Sequence, residues 1–115
     1  MTPQEIINGL RDKNIKLSQK NDEYKVLQEK FAAANRDYKV ALASQIVRLK
    51  INQNPTTLIP KLAQGDRAVS DLEYKMNVAE GVMRACLESI KDLREAIGTY
   101  RSLLTWLRAE LTGQD

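Results

Sequence analysis

The sequence predicts an all-α fold: two long antiparallel helices, a coiled-coil-like helical hairpin with a short helical turn at its corner, dimerising into a four-helix bundle. Three observations carry this expectation. Apolar residues recur at alternating steps of three and four on both sides of one proline-bearing break. The composition, 43% hydrophobic with only five Gly and three Pro, favours long helices over strands and turns. The two periodic stretches are also of nearly equal length, so folding back lets each seam cover the other, whereas a straight rod would leave both wet.

Thr2, Pro3 and Glu5 form a helix start, a capping box around a proline pre-set for the first helical position. Helix 1 is expected over about 3–52, with a d series of Leu10, Leu17, Tyr24, Phe31 and Tyr38. Its a series is Ile7, Asn14, Asn21, Gln28, Asn35, Leu42 and Leu49. One side of that seam is polar: either the amides are buried and fix register, or they face water. Opposite the seam, Val26, Ala33, Val40 and Val47 make a further apolar stripe, with Ile46 and Ile51 beside it. A helix apolar on two sides packs between neighbours, which predicts a third helix or another copy of the chain.

The corner is expected over about 53–65. Asn54-Pro55 and Ile59-Pro60 forbid continuous helix, and Gly65 suits a left-handed cap. Thr56 or Thr57 can start one short turn whose Leu58, Ile59 and Leu62 plug the end of the helix pair. Helix 2 is expected over about 66–112, capped by Asp66. Its a positions are Val69, Met76, Met83, Ile90, Ile97, Leu104 and Leu111, and its d positions Leu72, Ala79, Cys86, Leu93, Tyr100 and Leu107, with a polar break only at Gln114. At about 1.5 Å per residue it spans roughly 65 to 70 Å. Aligning the two seams gives residue-number sums of about 114 or 121, both of which set Asn35 against a small residue, Ala79 or Cys86. The whole chain, residues 1–115, reads as one hairpin domain.

Chemistry is poorly served by these residues. No histidine occurs, no phosphate-binding glycine loop is present, and the carboxylates Glu73, Glu80, Glu88, Asp92 and Glu95 have Lys or Arg beside them, as on a solvated helix face. No enzyme activity, cofactor or metal is expected. Cys86, a lone cysteine at a seam position, reads as a small core hydrophobe, and Met76 and Met83 as core. The segment MTPQEIINGL lacks the features of a signal peptide and no long apolar run occurs, so a cytoplasmic protein is expected.

Two surface features stand out. Trp106 lies off the seam, either anchoring a partner or packing on Ile6, Ile7 and Leu10. Arg94, Arg101 and Arg108 recur every seven residues, either facing phosphates or covering the seam with their stems and pairing with acids across it. The net charge of +3 is uneven, with ten Lys/Arg against six Asp/Glu over 1–54 and eight against nine over 55–115. That permits a nucleic-acid partner without favouring one. The candidate partner interface is therefore Val26, Ala33, Val40, Val47, Leu58, Ile59 and Trp106, and the candidate phosphate-facing stripe Arg94, Arg101 and Arg108.

The stretches YKVALASQIVRLK, TLIPKLAQGD, LEYKMNVAEGVMRACLESIKDLR and SLLTWLR, from Tyr38 to Arg108, resemble small uncharacterised helical-hairpin proteins of phages and prophages of Gram-positive bacteria. The resemblance rests on the proline corner, the Gly-Asp helix start, the Ala-Glu-Gly triplet and the Leu-Leu-x-Trp-Leu close. It implies a phage accessory protein in host cytoplasm: an oligomeric adaptor or inhibitor of a host or phage protein. The alternatives are a nucleic-acid-associated accessory of phage replication or recombination and, less so, a virion assembly component.

Overall fold

A reciprocal pair of hydrogen bonds starts the first helix. Thr2 Oγ1 accepts the Glu5 amide at 3.2 Å, while the Thr2 amide donates to Glu5 Oε2 at 3.3 Å. Pro3, with no amide to satisfy, takes the first helical position. The computed structural model describes residues 1–113, where α1 runs Pro3–Ile51, α2 Ile59–Gly65 and α3 Arg67–Gly113. Gln114, where the seam of α3 was expected to break, lies outside the described residues.

The left-handed residue of the corner is not Gly65. No glycine has positive φ, and Gln53 at φ 60° takes that role. The Asn54 amide donates to the Leu49 carbonyl at 3.1 Å and the Gln53 amide to the Lys50 carbonyl at 3.0 Å, the six-to-one and five-to-two bonds of a Schellman ending. The Asn54 side-chain amide reaches the same Leu49 carbonyl at 3.0 Å, and Pro55 then rules out further helix. A turn closed by the Leu58 amide on the Pro55 carbonyl at 2.9 Å leads into α2, whose cap residue is Leu58 rather than Thr56 or Thr57.

Asp66 serves two helices, which explains why Gly65 needs no special conformation. Its extended ψ of 134° ends α2, and its Oδ2 accepts the Val69 amide at 3.2 Å, capping α3. A single extended residue thus turns the chain between the two helices.

Packing divides the chain into two units. A terminal unit joins Met1–Lys25 to the chain from Ala85 onward, and a corner unit is Val26–Arg84. In each, α1 and α3 run antiparallel. The terminal unit brings Gly9 against Tyr100 and lets the Cys86 thiol donate to the Lys20 carbonyl at 3.6 Å; the corner unit sets Tyr38 beside Glu73.

On α3 the expected seam is in place: Val69, Cys86, Ile90 and Ile97 are buried and the other a and d residues through Leu107 half-buried, while Leu111 is exposed. On α1 the seam is rotated by one position. Leu10, Leu17, Tyr24, Phe31 and Tyr38 keep their place, but their alternating partners are Ile6, Lys13, Lys20, Leu27, Ala34 and Ala41. Ile6 is 1% exposed and Ile7 38%. The cause is desolvation: a seam through Asn14, Asn21, Gln28 and Asn35 would bury amides without partners, whereas Lys13 and Lys20 cover it with aliphatic stems. Asn14 and Gln28 are accordingly exposed, and Asn21 and Asn35 sit half-buried on the flank.

This rotation also resets the register. With Leu10 as an a position, a residues of one helix oppose d residues of the other at a sum of 110, as in Leu10 with Tyr100 (10 + 100) and Tyr38 with Leu72 (38 + 72), in place of 114 or 121. Asn35 is therefore not paired with Ala79 or Cys86. In the corner unit Arg67 falls beside Ala43 (110 − 67), so residues 44–51 run past the start of α3. The corner supplies Ile59, 4% exposed, and Ala63, 0%, as the buried pair of α2. Leu58 and Leu62, expected to plug the end, lie one position round the helix and are exposed.

Candidate interaction surfaces

The register sorts every surface residue onto a flank. Reversing one helix of a pair brings like flanks together, g beside g and e beside e. The structure displays this in the terminal unit, where an open groove of about 530 Å³ is lined by Lys16 and Glu23, g residues of α1, with Ser89, a g residue of α3, and Asp92 and Leu93 behind it. The groove is of mixed charge: Lys16 pairs with Asp12 at 3.1 Å and Lys20 with Glu23 at 3.0 Å.

In the corner unit the c positions of α1 form an apolar stripe, beside g positions that carry Lys30, Asp37 and Ser44. Val26, Ala33, Val40 and Val47 occupy successive c positions of α1; the three valines are exposed and Ala33 is half-buried. Val78 (c) and Val82 (g) of α3 are exposed on the like flank, and the register sets them level with residues 32 and 28 of α1. Four of the expected interface residues are thus brought together, and two more valines join them. Val82 was legible in the sequence as an apolar residue flanking the seam of α3, and Val78 lies four residues before it on the same flank.

Leu58, read both as a plug and as an interface residue, is exposed at the corner, which fits only the second reading. Ile59 is not an interface residue. It points into the core of the corner unit, because in a seven-residue helix only the i and i+4 pair Ile59 and Ala63 shares the inner face.

Trp106 belongs to the terminal unit and is 61% exposed, so it does not pack down on Ile6, Ile7 and Leu10. The register explains this. Trp106 stands at position c, off the seam and level with Gln4 of α1 (110 − 106), so it projects from the flank and not into the contact between the helices. Arg94, Arg101 and Arg108 are all exposed, and none of the six ion pairs among the described residues includes them.

The carboxylates behave as a solvated face. Glu80 pairs with Arg84, and Glu88 with Lys91 at 3.2 Å. Among the described residues no group of three or more His, Cys, Asp or Glu is placed to hold a metal ion. Glu73 has a structural effect instead: hydrogen bonding to it, then burial, then its charge hold the Tyr38 hydroxyl above the usual tyrosine range. No described helix is long and apolar enough to cross a membrane. No family model, curated protein or solved structure matches the chain.

Proposed function

We propose that this protein is a non-enzymatic interaction module that self-associates through the exposed valines on the c and g flank of its corner unit into a homodimeric four-helix bundle. The observation that carries this reading is the exposed set Val26, Val40, Val47, Val78 and Val82 on one flank of two helices. A pair of helices buries only a narrow seam, and a second flank of this kind calls for a further helical layer.

On the resemblance of its corner and second helix, the module serves as a phage-type accessory protein in host cytoplasm that docks on a host or phage protein as adaptor or inhibitor. Trp106 and Leu58 are the anchors available for that contact, since each projects a large apolar side chain from an end of its unit.

Self-association linked to folding makes the unfolding temperature depend on concentration. Circular dichroism melts over a hundred-fold range of protein concentration should show the midpoint rising with concentration. A midpoint that stays fixed over that range would count against the dimer.

A further inference from the structure

The terminal unit separates its charges by flank. At e and b positions of its two helices stand Arg11, Lys25, Lys91, Arg94, Arg101 and Arg108, and no Asp or Glu among the described residues. The c and g positions hold Glu5, Asp12, Glu23, Asp92 and Glu110 against a single cation, Lys16. Lys91 is engaged by Glu88, but Arg11, Lys25, Arg94, Arg101 and Arg108 are exposed and take part in none of the six ion pairs among the described residues.

The arginine row therefore has no acids to pair with across the seam. The α1 residues that border it are Ile7, Asn14 and Asn21 at e and Ser18 at b, none of which supplies counter-charge; Asn21 and Ser18 add an amide and a hydroxyl, while the Asn14 amide donates to the Leu10 carbonyl at 3.0 Å. Seven residues of helix separate successive arginines, a repeat of about 10.5 Å along a straight edge. Guanidinium forks bind phosphates in bidentate fashion, and that spacing lets each arginine engage a different phosphate.

We propose that the e and b flank of the terminal unit, Arg11, Lys25, Arg94, Arg101 and Arg108, binds the phosphate backbone of a nucleic-acid duplex without reading its sequence. A duplex is favoured over a single strand because the flank carries no aromatic residue: Tyr24 and Tyr100 lie in the seam and Trp106 on the opposite flank, leaving no platform on which unpaired bases stack. Sequence is not read because a row of cations on a two-helix edge contacts phosphates and presents no side-chain set to base edges. This surface is separate from the exposed valines of the corner unit and does not depend on the dimer.

The test is fluorescence anisotropy of the full chain with a labelled random-sequence 30-base-pair DNA duplex, a matching RNA duplex and an oligo-dT strand, from about 50 to 200 mM salt. Duplex binding should weaken with a log-log salt slope between about −2.7 and −4.5, the values for three and five phosphates. Arg94→Glu/Arg101→Glu/Arg108→Glu should lose at least ten-fold in affinity. Lys39→Glu/Lys50→Glu/Lys61→Glu, exposed lysines of the corner unit, should lose less than three-fold, although both triple variants move the formal charge from +3 to −3 (3 − 3 × 2). Circular dichroism establishes that both variants keep their helices.

No duplex binding at 50 mM salt would overturn the proposal, as would equal losses in the two variants, which would make net charge the cause. Tighter binding to oligo-dT than to either duplex would overturn the duplex assignment. Low-salt self-association abolished by the arginine variant, with no duplex bound, would identify the acidic flank of a second copy as the occupant instead. Preference for one duplex over the other identifies which nucleic acid supplies the phosphates, and either preference supports the proposal.

Discussion

Gly9 shows how closely α1 and α3 approach in the terminal unit. A Cβ there would lie 2.6 Å from Tyr100 Cζ and 2.8 Å from its hydroxyl oxygen, so the ring lies directly on the backbone of α1. Alanine is the better helix former by about 1 kcal/mol, yet Gly9→Ala should destabilise the wild-type protein because Tyr100 must move. In a Tyr100→Ala background the same substitution should stabilise by up to about 1 kcal/mol, a sign reversal that urea titration of the four proteins would display. Gln53 offers the opposite case. Holding a side chain at φ 60° costs about 1 to 2 kcal/mol, so Gln53→Gly should raise stability by about 0.5 to 1 kcal/mol after the added freedom of the unfolded chain is subtracted.

Tyr38 supplies a pH dependence whose sign follows from its raised pKa. The folded state holds the phenolic proton more tightly than the unfolded state. Its contribution is therefore complete below the unfolded tyrosine pKa of about 10 and is lost as pH rises through the higher folded value. Tyr38→Phe, which cannot ionise, should show a shallower fall in unfolding temperature above about pH 10 than wild type.

At the scale of elements, the ends of the helices and the seam of α3 were written plainly in the sequence, because capping chemistry is local and that seam contains no competing stripe. Thr2, Glu5 and Asp66 make the hydrogen bonds their spacing implies, and Asp66→Ala should cost about 0.5 to 2 kcal/mol in a denaturant titration. Helix α1 was harder. Ile6 and Ile7 both stand within reach of Leu10, and counting apolar residues cannot choose between them; the choice turns on the cost of burying four amides against that of laying two lysine stems along a seam. One rotated position then shifted the register by four residues. The corner was misread for a related reason, since Gly65 looked like the residue for a left-handed turn while the Schellman bonds at Leu49 and Lys50 placed that strain on Gln53.

For the whole molecule, the candidate site was legible as a stripe and incomplete as a surface. Val26, Ala33, Val40 and Val47 follow from a seven-residue repeat, but Val78 and Val82 join them only once the register assigns both helices a like flank. Ile59 was read both as a plug of the helix pair and as an interface residue, and the inner face of α2, which it shares with Ala63, places it in the core. Within the terminal unit, charge rather than apolar surface distinguishes one flank from the other, which an overall net charge of +3 conceals.

Self-association through the corner unit is tested most directly by sedimentation equilibrium of the wild type and of Val40→Glu/Val78→Glu, up to tens of micromolar. The wild type should sediment at twice the 13.1 kDa chain mass, and the variant at the chain mass with its helix content intact, because two carboxylates on that flank cannot be buried unpaired. A wild type that remains at the chain mass throughout, or a variant that dimerises as tightly as the wild type, would contradict the account.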